Sequence, residues 1–199
     1  MKYYAVRQGR QVGIFTDWNE CKRLVTGYKG AEFKGFTSRD DALAYLGAGG
    51  KTELPADTSP DTAIAYVDGS YNIRTKCFGC GAVILHNGSE EHISKGFEDE
   101  ELASMRNVAG EIKGSLAAMN YCLENDIKNL YICYDYSGIE KWCTGEWKTN
   151  KTATAAYKAF YDEVKERINI TFYKVKGHSG DKYNDLADSL AKAAAGVTQ

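Results

Sequence analysis

Residues 63–70 read Ala63-Ile64-Ala65-Tyr66-Val67-Asp68-Gly69-Ser70, a run without a break in its apolar character that ends on an acid, a glycine and a serine. Such a run suits a strand buried on both faces. Downstream, Gly79–Leu85 and His92–Phe97 predict two more strands, with Asn87-Gly88 as a hairpin turn between them. Residues Val108–Leu123 place Ile112, Leu116, Met119 and Leu123 on one helical stripe. Leu130–Tyr134 is the next buried strand. Ile139–Trp142 predicts a short helix and Ala153–Arg167 a longer amphipathic one. Ile170–Val175 is the last strand and Asp185–Ala195 the closing helix. The order βββαβααβα is that of an α/β unit, a mixed five-stranded sheet flanked by helices.

Upstream, both prolines of the chain, Pro55 and Pro60, fall among glycine, Ser/Thr and acid in residues 48–61, which predicts a flexible linker. It joins a first unit, residues 1–47, to a second, residues 62–199. In the first unit Lys2–Arg7, Val12–Thr16 and Ala31–Phe36 predict strands. Asp17 and Ser38 stand where N-caps would start helices Trp18–Val25 and Arg39–Leu46. The result is a ββαβα unit with little room for a core.

Composition sets outer bounds. Hydrophobic residues make up 43% and charged residues 26% of 199, as in ordinary globular proteins. No run approaches the ~18 apolar residues of a membrane span. The N-terminus shows no apolar signal core, so a cytoplasmic protein with reduced thiols is expected. Cys77-Phe78-Gly79-Cys80 has the spacing of half a zinc knuckle but no matching second pair, and only three histidines are present. Alternation around Cys77–Leu85 suggests a strand with the thiols as small buried side chains. The net charge of −2 hides an asymmetry: residues 1–47 hold eight basic side chains against five acidic ones, and the remainder is acidic. A basic small unit hints at contact with nucleic acid.

Four acids recur at the ends of elements. Asp68 and Asp135 each end a hydrophobic strand, Glu111 falls in the first turn of the long helix, and Asp188 lies in the last helix. The first two would stand at one rim of the sheet, where open α/β sheets place their sites. Clustered carboxylates repel one another unless cations join them, and oxygen ligands suit Mg2+ or Mn2+. Two such ions ~3.5–4 Å apart can activate water and stabilise a leaving oxygen of a phosphodiester. Taken singly, an Asp after a strand is often a turn residue or cap, and a Glu early in a helix complements its dipole. Periodicity alone does not pick these four from 27 acids.

The surrounding motifs do pick them. Asp68-Gly69-Ser70 with Gly79-Cys80-Gly81-Ala82-Val83, Asn107-Val108-Ala109-Gly110-Glu111, Tyr134-Asp135-Tyr136-Ser137-Gly138-Ile139, Lys176-Gly177-His178-Ser179-Gly180 and Asn184-Asp185-Leu186-Ala187-Asp188-Ser189-Leu190-Ala191 together resemble the type 1 ribonuclease H family over residues 62–196. Asp185 competes with Asp188, but Asp188 keeps the preceding Asn and the following Leu-Ala in register. The resemblance implies a ribonuclease H-like fold and an endonuclease that cuts the RNA strand of RNA–DNA hybrids, leaving 5′-phosphate and 3′-hydroxyl ends. Asp68, Glu111, Asp135 and Asp188 would hold two Mg2+ ions, with Mn2+ a possible substitute. His178 would be the mobile loop histidine that assists proton transfer or product release. Asn107 and Asn184 would contact the nucleic acid, reading sugar 2′-hydroxyls.

The first unit has a resemblance of its own. Tyr3-Tyr4-Ala5-Val6-Arg7 with Gly9-Arg10, Trp18-Asn19-Glu20-Cys21-Lys22 and Ala31-Glu32-Phe33-Lys34-Gly35-Phe36 look like the hybrid-binding domain that viroplasmins share. It implies that Trp18 and Phe33 pack on a DNA sugar-phosphate backbone and that Lys34 pairs with phosphate, on an RNA–DNA hybrid or double-stranded RNA. The alternative for the two aromatics is filling a small core. Gly35 departs from the pattern, since many relatives have a second lysine there. Residues 142–151 carry few cations beside the basic protrusion of some family members, so tethering would fall to the first unit. Two other classes stand against this reading: a binding protein with an inactive nuclease fold, and a transposase or integrase acting on DNA. A monomer is expected, without membrane contact.

Overall fold

The computed structural model describes residues 2–47, 54–55, 58–175 and 181–197, apart from the side chains of residues 40, 43, 44 and 47. His178 and its loop, residues 176–180, lie outside the described residues, as does most of the stretch read as a linker. The chain divides into two compact units, Met1–Glu53 and Leu54–Gln199.

In the first unit β1 (Tyr3–Gln8) is the middle strand, antiparallel to both β2 (Gly13–Phe15) and β3 (Glu32–Phe36). Helix α1 (Trp18–Val25) starts where the Asp17 carboxylate accepts from the Asn19 N–H at 2.9 Å, satisfying one orphan donor of the first turn. Ser38 Oγ accepts from the Asp41 N–H at 3.4 Å at the start of α2 (Arg39–Gly47). Val6, Phe15, Cys21 and Val25 form the buried cluster of its core, with Ala5 and Ala42 also fully buried. Arg7 ties α2 back to the sheet, donating to the Tyr45 carbonyl at 2.9 Å with its guanidinium 4.2 Å from the centre of the Tyr45 ring.

The second unit is a five-stranded mixed sheet in the order β6 (Ser89–Phe97), β5 (Phe78–His86), β4 (Thr62–Tyr71), β7 (Asn129–Tyr134), β8 (Asn169–Lys174). The first three are antiparallel neighbours, whereas β7 and β8 run parallel to β4. Helix α4 (Asn107–Glu124) covers one face and α7 (Lys182–Ala194) the other. Alternate residues of β4 serve the two faces. Ala63, Ala65 and Val67 join the core with Ile112 and Met119 of α4, while Ile64 and Tyr66 join Ala187 of α7. A strand covered on both sides has no polar face to show, which accounts for its unbroken apolar run. The helices sit directly on strand backbone: a Cβ on Gly81 would lie 2.0 Å from the Ala187 carbonyl oxygen, and one on Gly69 2.0 Å from that of Asn107. Three further helices, α3 (Glu100–Ala103), α5 (Gly138–Cys143) and α6 (Thr152–Val164), complete the unit.

Several expectations are corrected in detail. β5 is buried from Phe78 to Ile84 rather than alternating, because helices press on both its faces; Cys80 is buried, but Cys77 precedes the strand and is half-buried. β6 begins at Ser89, since pairing continues to His86↔Ser89 around the left-handed turn of Asn87 (φ 48) and Gly88 (φ 75). Asp68 does not end its strand: β4 runs on antiparallel to β5 as far as Tyr71↔Phe78. What ends near Asp68 is the parallel pairing with β7, whose last pair is Tyr66↔Cys133. Glu111 falls in the second turn of α4, because the helix starts at Asn107.

Candidate active site

Where β7 stops pairing with β4, two carboxylates emerge side by side. Asp68 lies two residues beyond the last parallel pair, and Asp135 directly follows the last residue of β7. Glu111 reaches them from α4, which can approach because Gly69 and Gly110 have no side chains; a Cβ on Gly110 would lie 2.1 Å from the Gly79 carbonyl oxygen. Carboxylate oxygens of Asp68, Glu111 and Asp135 all lie within 4.8 Å of one another. The Asp68 carboxylate accepts from the Gly69 N–H at 2.6 Å.

Glu111 is the most perturbed of the three. It is 1% exposed, and its Oε2 has no hydrogen-bond partner. Its Oε1 receives a long 3.5 Å contact from Asn107 Nδ2, and the Tyr136 backbone N–H lends the carboxylate a lesser stabilising contact. Burial first, then the charges of Asp135 and Asp68, push its carboxyl up to about 9. A buried acid with an unpartnered oxygen, facing two more carboxylates, fits a divalent cation: the donors are all hard oxygens and the cation supplies the missing partner.

Asp188 does not join this group. It projects from α7, 19% exposed, and pairs with Lys192 Nζ at 2.6 Å, one helical turn on. It nevertheless borders the same end of the sheet, in a cleft of about 330 Å3 shared with Ser70, Arg106, exposed Asn107 and Lys192. Asn184 is 3% exposed and its Oδ1 has no hydrogen-bond partner. Asn184 lies at the start of α7, where the Asp181 carboxylate caps the backbone N–H groups of Tyr183 and Asn184, each at 3.1 Å.

In the first unit Trp18 is 41% and Phe33 40% exposed, their ring centres 5.9 Å apart, so neither is consumed by the core. Lys34 Nζ rests 5.7 Å from the Phe36 ring centre. A Cβ on Gly35 would meet only the Tyr4 ring, at an ordinary 3.6 Å.

Sequence reasoning missed three features. Tyr4 extends the aromatic pair to three, 5.2 Å from Trp18; the signal was its place two residues before Val6 on the same strand face. Arg106, the residue before Asn107, has φ 54 and ψ −131, a region that disfavours side chains, and nothing in its sequence surroundings announces that. Tyr136, Trp142 and Trp147 form one aromatic cluster, with ring centres 5.8–6.2 Å apart. It adjoins a cleft of about 300 Å3 that passes from Met105 and Tyr136 to Lys148 and Lys151.

Comparison with known proteins agrees with this architecture. A family model described as "Ribonuclease H1 N-terminal domain" matches residues 2–46, and one described as "RNase H" matches residues 60–196. Ribonuclease H1 of Mus musculus is 24% identical over 97% of this chain and 89% of its own length. Ribonuclease H of Francisella philomiragia is 33% identical over 69% of this chain and 93% of its own. Among solved structures, the RNase H1 of Halobacterium salinarum shares the fold at a TM-score of 0.55 and 19% identity, covering 69% of this chain and 99% of that one. LC11-RNase H1, solved in complex with an RNA/DNA hybrid, does so at a TM-score of 0.52 and 18% identity, covering 66% of this chain and 98% of its own. With that fold, that acidic cluster and both family matches in one chain, the protein belongs to the ribonuclease H family and is one of its endonucleases.

Proposed function

We propose that the protein hydrolyses the RNA strand of RNA–DNA hybrids at the rim where Asp68, Glu111 and Asp135 meet, leaving 5′-phosphate and 3′-hydroxyl ends. The observation that carries this is the buried Glu111, held within 4.8 Å of two further carboxylates with one oxygen unpartnered. The complex of LC11-RNase H1 with an RNA/DNA hybrid supports the choice of substrate. Asp68, Glu111 and Asp135 would hold divalent cations, Mg2+ or Mn2+ and two in number, with Asp188 joining them on releasing Lys192; such cations would offset the charge that builds on a phosphodiester attacked by water.

The remaining roles belong to the chain itself. Asn107 steadies the Glu111 carboxylate from one side and, being exposed at the cleft, offers its amide to a sugar 2′-hydroxyl, the group that tells RNA from DNA. The cleft from Tyr136 to Lys148 and Lys151 gives the partner strand a path of aromatic rings and cations. Trp18, Phe33 and Lys34 of the first unit bind the hybrid, or double-stranded RNA, through sugar faces and phosphate. His178 acts as proton carrier at the leaving 3′-oxygen. The protein works as a monomer in the cytoplasm; no helix among the described residues is long and apolar enough to cross a membrane.

The test is cleavage of an end-labelled RNA–DNA hybrid with Mg2+, beside the same sequence as DNA–DNA and an Asp135→Asn variant. Cutting confined to the RNA strand, and reduced by about a thousandfold or more in the variant, is expected. Equal cutting of DNA–DNA would mean a DNA-directed enzyme. No cutting in Mg2+ or Mn2+, with binding retained, would mean a binding protein.

A further inference from the structure

Away from the acidic cluster, helices α3, α4 and α6 border a cavity of about 400 Å3, larger than either cleft described above. From α4 it takes Ala109, Ile112 and Leu116, a stripe of residues three and four apart that leaves Glu111 out. Across it α6 presents Ala153, Ala156 and Phe160. Two of these are alanines, so space that larger side chains would fill stays open. The walls are pinned. Tyr157, at the floor, is fully buried and donates its hydroxyl to the Ile139 carbonyl at 3.2 Å. The Asp99 carboxylate caps α3, accepting from the Leu102 N–H at 3.0 Å, and Thr154 Oγ1 donates to the Lys151 carbonyl at 2.9 Å where α6 begins. Such a cavity is formed in advance, and a ligand entering it need order little of the protein.

The rim carries mostly one sign of charge. Glu98-Asp99-Glu100-Glu101 are all exposed, and Asp99 and Glu101 line the cavity itself. Among the described residues none of these four has a cation within ion-pair distance. Lys113, on the facing wall, is engaged elsewhere, its Nζ 5.4 Å from the centre of the Phe97 ring. Acids in a first turn complement a helix dipole, but α3 is only 4 residues long and Glu98 precedes even its cap. Unpaired carboxylates repel a nucleic-acid backbone and attract cations. An apolar cavity bordered by them is complementary to a peptide that sets an apolar side chain between basic ones. Asn120 and Thr152, both exposed on the cavity, offer polar groups to the backbone of such a peptide.

We propose that this cavity is a docking site for a basic segment of a partner protein: one apolar side chain fills the space between α4 and α6, and lysines or arginines beside it pair with Asp99, Glu100 and Glu101. The cavity shares no lining residue with the clefts that border the acidic cluster, so partner and nucleic acid occupy different surfaces of the same unit.

The test titrates the full-length protein, in buffer containing Mg2+, with the labelled peptide acetyl-Lys-Lys-Phe-Lys-Lys-amide. Two controls are the same peptide with alanine in the centre and one with glutamate for every lysine. Fluorescence anisotropy is expected to show the phenylalanine probe binding about tenfold tighter than the alanine one, as burial of an aromatic side chain requires, and the glutamate probe not binding. Ala156→Phe fills the cavity from an exposed position and is expected to weaken the phenylalanine probe about tenfold, whereas Ala156→Ser stays within about twofold. Glu100→Gln/Glu101→Gln is expected to weaken it about threefold to tenfold and to flatten its salt dependence. Melting temperature and cleavage of the hybrid hold at parent values in all three variants, which separates lost docking from lost fold. Equal binding of the phenylalanine and alanine probes, or undiminished binding by Ala156→Phe, would overturn the site. Equal binding of the glutamate probe would overturn the choice of a basic partner, and self-association abolished by Ala156→Phe would give the cavity to a second copy of the chain instead.

Discussion

The two units solve the problem of displaying functional groups in opposite ways. The second hides its central carboxylate: Glu111 is 1% exposed, inside a sheet sandwiched by α4 and α7. The first wears its candidate contacts outside, with Trp18 and Phe33 each about two-fifths exposed over a small core centred on Val6, Phe15, Cys21 and Val25. A small unit has little interior to lend, so its aromatics can serve a surface at small cost to its stability. A large unit can hold an unpartnered acid against the pull of solvation, and that acid then binds a cation more strongly than water would allow. On the proposed reading, chemistry goes with the deep core and tethering with the shallow one.

If that division is right, removing the first unit should hurt reach rather than chemistry. Deletion of residues 1–60 is expected to lower cleavage of long hybrids by about tenfold or more while short hybrids stay within about twofold. Steady-state rates on two substrate lengths decide it, and equal losses on both would erase the distinction. A smaller effect follows from the exposed rings. Trp18→Ala should weaken hybrid binding by about tenfold, as loss of one stacking contact does, with no change in melting temperature beyond a few degrees. Binding measured beside thermal denaturation separates the two; a collapse in stability would return Trp18 to the core. The smallest effect comes from Gly35. Since a side chain there meets only the Tyr4 ring at 3.6 Å, Gly35→Lys should fit and tighten hybrid binding by about twofold to fivefold. The gain should vanish at high salt, which a titration of ionic strength checks.

Much of this was legible in the sequence, for physical reasons that differ from place to place. Strands such as Ala63–Val67 announce themselves because both faces are buried, and the Asn87-Gly88 turn because its backbone needs left-handed φ at both positions. The short helix Glu100–Ala103 was missed: its polar residues carry no hydrophobic period, and only the Asp99 carboxylate, accepting from the Leu102 N–H at 3.0 Å, marks its start. The first part of β6 was missed because Ser89-Glu90-Glu91 is exposed on an edge strand and looks like loop. At the site, Asp68, Glu111 and Asp135 were found by motif, not by pattern, because a buried acid has no periodic signature. That Asp188 pairs with Lys192 could be suspected from their spacing of four on a helix, but not that it would stand apart from the other three. Tyr4 shares a strand face with Val6, a signal the sequence holds, but its approach to Trp18 depends on tertiary neighbours, and the backbone of Arg106 is one that a single sequence does not display.

The central claim is that Glu111 is an acid waiting for a cation, and its pH-dependent stability tests this most directly. Its carboxyl is pushed up to about 9 from an ordinary 4.5. Without cation, its contribution to stability is therefore full below about pH 4.5 and is lost progressively as pH rises toward 9. Melting temperatures of the parent and Glu111→Gln should be compared across that range, with and without Mg2+. The account predicts that the two melt alike near pH 4, that the glutamine variant becomes the more stable by several degrees at pH 8 without cation, and that Mg2+ raises the parent alone. Parallel curves at every pH, with no response of the parent to Mg2+ or Mn2+, would contradict it.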